Sequence, residues 1–246
     1  MSKIAEFFNA VSKNDVEQVK SILAEQPDLL NFVREEDYFQ DSPLVYAAKH
    51  DAKDVLEYLL AQKADINKIN VYAFNPYFAA VNEHNLDLAL FILNQDGLDL
   101  KHKTYSKADY LGQIFKVIQH YGVLGYNEKI NDESISKLID AVIEKGFNVN
   151  TRQLSSMDNS VTLAANSQSW PLVAYLINKG GDYTANNMWG HDIWTAFCGN
   201  QYLSPEHKNQ IFEILDNCVK SSGSKYGELK KPEHLYVGLD GVPFNK

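Results

Sequence analysis

The side chains that could do chemistry in this chain are few and poorly grouped. Cys198 follows His191 by seven residues, a pair that could supply a thiolate nucleophile and its base. Cys198 nevertheless falls at a small-residue core position of the repeat described below, where an inert buried thiol is expected. His50 and His84 are spaced to lie near each other on successive repeats, but two imidazoles without a third ligand make a poor metal site, and ordinary surface histidines are expected. The acidic pairs Glu35-Glu36 and Asp132-Glu133 stand at loops or helix starts, where carboxylates interact favourably with the helix dipole. There is no Gly-x-Ser-x-Gly elbow, His-Glu-x-x-His, phosphate-binding Gly-x-x-x-x-Gly-Lys or spaced pair of cysteines. The reading is therefore of a non-enzyme, with no catalytic residues, no metal and no cofactor.

The elements that must carry any function are repeated. Ser42-Pro43-Leu44-Val45-Tyr46-Ala47-Ala48, followed by Val55 to Leu60 and Ala64-Asp65-Ile66-Asn67, returns in altered form at Asn75 to Val81, 33 residues on. Self-similarity at that period predicts stacked helix-turn-helix repeats, none of which can bury its apolar face alone. Six repeats follow from the register, near 2–36, 37–69, 70–102, 103–150, 151–184 and 185–220. The first is a cap, with Phe7, Phe8, Ala10 and Val11 on one helical stripe and Val19, Ile22 and Leu23 on the next. The third has one extra residue in its exit loop. The fourth is too long: Tyr110 to Ile118 and Ile135 to Ile143 read as its helices, with Gly122 to Asn127 inserted between them. A long connection around Ser204-Pro205 separates the helices of the sixth. After Lys220 the pattern stops, and Ser221 to Ser224 reads as a joint to a tail, 221–246, whose Leu235, Tyr236, Val237, Leu239 and Phe244 predict docking on the last repeat.

Composition narrows the partners. The 246 residues are 45% hydrophobic and 22% charged, ample for a core in one soluble domain over 1–220. A net charge of -9 argues against nucleic acid or an anionic membrane and allows a basic protein partner. Two cysteines are too few for a disulfide framework and fit a reducing, cytoplasmic compartment. No apolar run reaches the roughly 18 residues that span a bilayer, and Met1 to Val11, with Glu6 inside it, reads as a first helix rather than a signal peptide.

With this register the chain resembles the ankyrin repeat family. The family's Thr-Pro-Leu-His-like helix start, Ala-Ala step, paired-Leu second helix and Gly-Ala-Asp-hydrophobic-Asn exit are matched best by Ser42 to Asn67, and the resemblance covers about residues 2 to 218. No repeat keeps the family's His: Val45, Phe78, Thr162 and Thr195 stand there, so the usual histidine brace of the loops is not expected. The resemblance implies an all-α solenoid with projecting loop fingers that binds proteins. Transferring the family's variable positions gives Tyr38, Phe39, Asp41, Lys49 and His50 in the second repeat, and Val71, Tyr72, Phe74, Asn82 and Glu83 in the third, as the protein-binding residues. Exposed rings give contact area with little entropy to lose; alternatively, Phe39 and Phe74 pack between fingers. Ser155, Ser156, Asp158, Asn166, Ser167 and His191 form a more polar matching surface. The implied function is a monomeric, non-enzymatic module that masks or positions a partner, as a stoichiometric inhibitor or immunity-type protein. A secreted effector or adaptor is the alternative, and an enzyme using the fourth-repeat insertion a distant one.

Overall fold

The computed structural model describes residues 2–34, 37–122, 132–154, 156–199 and 205–230. All secondary structure among them is helical, with no strand. The helices are α1 (Lys3–Ser12), α2 (Val16–Glu25), α3 (Pro43–Lys49), α4 (Lys53–Ala61), α5 (Pro76–Asn82), α6 (Leu86–Leu93), α7 (Tyr110–Gly122), α8 (Asp132–Glu144), α9 (Ser160–Asn166), α10 (Trp170–Asn178), α11 (Ile193–Gly199) and α12 (Pro205–Ser222), with a 3-10 turn at Pro27–Asn31. In chain order they number twelve among the described residues, the number that six helix pairs require. None is long and apolar enough to cross a membrane. Glu35, Glu36, Val123 to Asn127, Ser155, Ser204, Leu235, Tyr236, Val237, Leu239 and Phe244 lie outside the described residues.

The inner helices start the same way each time. A short polar side chain accepts a backbone N–H three residues on: Ser42 from Val45, Asn75 from Phe78, Asp109 from Gly112, Asn159 from Thr162 and Asp192 from Thr195. Pro43 and Pro76 occupy the first helical position, where no N–H is needed. These helices are only seven residues long in repeats two, three and five. That length is marginal alone, so they persist because they are buried almost all round, as Pro76 to Val81 and Ser160 to Ala165 are.

The turns are equally regular. Left-handed backbone recurs at Gln40, Ala73, Lys107, Met157 and Gly190 in the fingers, at Asn14, Asp51, His84 and Gln168 between the helices of a pair, and at Lys63, Gly97, Gly146 and Gly180 on leaving it. Non-glycine residues rarely adopt this conformation, so its recurrence marks a geometry that stacking enforces. The step from Lys63 to Gly97 is 34 residues, one more than from Gln40 to Ala73, which puts the extra residue of repeat three in its exit turn.

The chain divides into two compact units, Met1–Gln113 with Glu128–Val142, and Ile114–Asn127 with Ile143–Lys246. In the first, α3 packs on α1, α4 and α5, α5 on α6, and α2 on α1 and α4. In the second, α9 packs on α10 and α11, and α10 on α12. The fourth repeat is enlarged through its helices, since α7 and α8 have 13 residues each. Ser221 and Ser222 form the last turn of α12 rather than a joint, and the helix stops at left-handed Gly223. The chain then meets the exit loops of the fourth and fifth repeats, rather than the last repeat expected. The Tyr226 hydroxyl accepts from the Asn150 amide at 3.2 Å, the Tyr183 hydroxyl donates to the Gly227 carbonyl, and Leu229 is buried.

Exit loops are tied together by asparagine. Asn67 accepts the Asp99 N–H at 2.7 Å and donates to the Gly97 carbonyl at 2.8 Å, so one amide satisfies both groups of the next loop. Asn150 does the same with Asp182 at 2.7 Å and Gly180 at 3.0 Å, and Asn31 accepts from Asp65 at 2.8 Å. Replacing Asn67 by Ala should lower unfolding free energy by about 1–2 kcal/mol. Asn94→Ala, which removes only an exposed bond to its own helix, should change it by less than about 0.5 kcal/mol. Urea denaturation of the two variants checks both.

Candidate functional site

The junction of repeats two and three is built on Asn70. Its side-chain oxygen accepts the N–H groups of Tyr72 and Phe74, each at 3.0 Å, which folds the finger, and its amide donates to Asp41 at 2.9 Å, which fixes the finger to the preceding one. The other oxygen of Asp41 takes the Lys49 ammonium at 2.8 Å. Asp41 is 1% exposed, so this cation and amide are what make its burial tolerable. The Phe39 carbonyl accepts from Val71, and the Tyr72 carbonyl from Tyr105. The missing histidine brace is thus replaced from within the finger: Thr104 accepts the Ala108 N–H, and Asn187 accepts those of Trp189 and His191. The brace has moved from the helix start to the first finger residue.

On this frame the rings form a chain. Tyr38 stands edge-on to Phe39 at 5.2 Å, Phe39 is 6.0 Å from Tyr72, Tyr72 is 6.0 Å from Phe74, and Phe74 stacks on Phe78 at 6.3 Å. The outer rings face solvent, with Tyr38 75%, Phe39 39% and Tyr72 41% exposed. Phe74 is half-buried, so of the two phenylalanines it is the one that packs inward. The neighbouring Tyr38 hydroxyl raises the pKa of Tyr72. Lys49 lies 3.8 Å over the Phe39 ring, adding a cation–π contact to its ion pair.

These residues border a cleft of about 740 Å³. Of the ten sequence-derived positions, Phe39, Asp41, Lys49, His50, Tyr72, Phe74, Asn82 and Glu83 line it. Tyr38 reaches it through Phe39 and Tyr72, while Val71 contributes its backbone to the ladder. Sequence reasoning missed Arg34, Asp37 and Tyr46. The Arg34 guanidinium stacks 4.2 Å over Phe8 and 4.9 Å over Tyr46, and pairs with Asp37 at 2.5 Å. The available signal was rarity, since Arg34 is one of only two arginines in the chain.

The histidines and Cys198 take different places in the fold. His84 is buried at a left-handed turn, contrary to the surface position expected, whereas His50 is exposed. No group of three or more His, Cys, Asp or Glu side chains is placed to hold a metal among the described residues. Cys198 is half-buried and burial pushes its thiol pKa up, away from the reactive thiolate. Of the more polar surface, Ser156, Asp158, Asn166 and His191 line a second cleft, while Ser167 is buried and donates to the Leu163 carbonyl at 2.9 Å.

His50 reports on the first cleft. Its ring lies 4.4 Å from that of Tyr46, and partial burial, then the Lys49 charge, lower its pKa below 6.5, against weaker raising by Glu83 and Asp41. NMR titration should find His50 below the ordinary imidazole value. Lys49→Met removes a lowering charge and should move it upward.

No curated protein matches the chain by sequence. Among solved structures, a chain of the complex described as the Bd0816 predatory endopeptidase from Bdellovibrio bacteriovorus with immunity protein Bd3460 is similar, at 18% identity and a TM-score of 0.64. The match covers 86% of this chain and 97% of that one, and so extends the shared fold well past the third repeat. The family model for ankyrin repeats, three copies, matches residues 7–104. The matched segment holds the repeats of ordinary length and ends before the enlarged fourth, whose longer helices depart from the pattern. Over residues 7–104 the chain carries the ankyrin repeat pattern.

Proposed function

We propose that this protein binds another protein without catalysing a reaction, and acts by masking its partner as a stoichiometric, immunity-type inhibitor. The observation that carries the reading is the braced aromatic cleft of repeats two and three, where exposed rings sit on a finger held by the Asn70, Asp41 and Lys49 network. Such a surface has little conformational freedom to lose on binding, so its rings can act as anchors. The ankyrin repeats and the likeness to a chain from an endopeptidase–immunity complex support the same direction. The net charge of -9 favours a basic partner and faster encounter with it.

The decisive experiment is affinity capture followed by assay of the captured protein. Loss of the partner's activity at one-to-one stoichiometry supports inhibition; a partner that stays fully active when bound overturns it in favour of an adaptor. Tyr38→Ala and Tyr72→Ala should each weaken binding by about 1 kcal/mol or more and leave the melting temperature nearly unchanged, because both rings are exposed. Association should slow as salt rises while dissociation changes little. Association rates that ignore salt would remove charge steering from the mechanism.

A further inference from the structure

Repeats five and six rebuild the first cleft 117 residues further along. Asp158, Asn166, Asn187, Trp189 and His191 stand at the positions of Asp41, Lys49, Asn70, Tyr72 and Phe74, and border a cleft of about 320 Å³. Asn187 braces its finger as Asn70 does. The construction is shared but the charges differ. In the first cleft both cations are already satisfied, Arg34 by Asp37 and Lys49 by Asp41. In the second, Asn166 replaces the lysine, and the cation comes from Lys116 on α7. Lys116 is half-buried and has no ion pair among the described residues. Burial lowers its pKa. Asp158 is 3% exposed, and its carboxylate faces the Asn166 amide, 3.5 Å away.

The surroundings are also unusual. Leu154, Met157, Met188 and Trp189 are 68%, 43%, 59% and 62% exposed, all in the two fingers of this junction. An ammonium half-stripped of water, in no ion pair among the described residues and sharing its cleft with an exposed indole, is poised for an anion that brings apolar atoms with it. In a chain of net charge -9, such a site does not follow from overall charge.

We propose that this cleft is a second recognition site, taking a carboxylate of the partner protein against the Lys116 ammonium, with the Trp189 indole covering the attached apolar carbons. The proposal rests on the reading that the protein binds another protein, and adds the chemistry of one contact. The carboxylate can belong to a side chain or to a chain end.

The test titrates isotope-labelled full-length protein with three peptides: acetyl-Gly-Glu-Gly-amide, its Gln counterpart, and acetyl-Gly-Gly-Gly with a free carboxylate. The Glu peptide should shift the Trp189 indole N–H saturably and the Gln peptide should not. Saturation by the free-carboxylate peptide alone would support the site and identify a chain end as the ligand. Lys116→Met should weaken the response by roughly tenfold, while Lys116→Arg should retain it. Tyr72→Ala, in the other cleft, should leave it unchanged. Equal shifts from the Gln peptide, no saturable shift from any peptide, or undiminished binding by Lys116→Met would overturn the proposal. Thermal melts confirm that the variants fold. Partner capture that depends on Tyr38 and Tyr72 alongside a negative peptide titration would sink only this inference; a positive titration without any captured protein would sink only the broader reading.

Discussion

Asparagines at the ends of three exit loops, Asn31, Asn67 and Asn150, each tie their loop to the next one, and these ties set the spacing of the stack there. Asn67 and Asn150 each satisfy one N–H and one C=O of the following loop. The helices alone could not fix this register. Seven-residue inner helices have too few turns to stand by themselves, and burial around most of their circumference is hydrophobic and non-directional. Directional hydrogen bonds between successive loops convert a sticky stack into one with a single spacing. The left-handed residues follow from that demand: Ala73, Lys107 and Met157 hold a conformation unfavourable for side chains with a Cβ because the loops on either side require it.

The same logic explains why the fingers can present rings. A projecting loop with no strand pairing of its own would leave backbone groups unsatisfied and the aromatic side chains mobile. Asn70 removes both problems by accepting two finger N–H groups and anchoring itself to Asp41. Asp41 could not be buried without Lys49, and Lys49 in turn covers Phe39. A small polar network under the surface therefore sets the positions of the hydrophobic groups on top of it. At the equivalent junction of repeats five and six the network loses its lysine, since Asn166 stands there, and the surface above becomes Trp189 and His191 with Lys116 alongside. The repeated architecture keeps the scaffold constant while the side chains change the chemistry.

The sequence by itself determined the helix pairs, their order and most of the first cleft. Polar caps at Ser42, Asn75, Asp109, Asn159 and Asp192, prolines at the first helical turn and the Ala-Ala steps are local signals, readable without knowing what lies across the core. Because a repeat turns sequence spacing into spatial adjacency, positions 33 residues apart become neighbours, and Phe39 could be placed beside Tyr72 from the register alone. Only the tertiary structure decided which of these groups are free. Asp41 carries the same charge in the sequence as Glu83, yet one is buried in an internal ion pair and the other is exposed at the rim. His84, at a surface position of the repeat pattern, is enclosed; Arg34, outside the pattern, stacks on two rings. Lys116 is one lysine among many until half-burial on α7 leaves it without an ion pair among the described residues, in a cleft it shares with Trp189. Burial, pairing and desolvation depend on which elements pack together, and a local pattern of residue types does not contain that information.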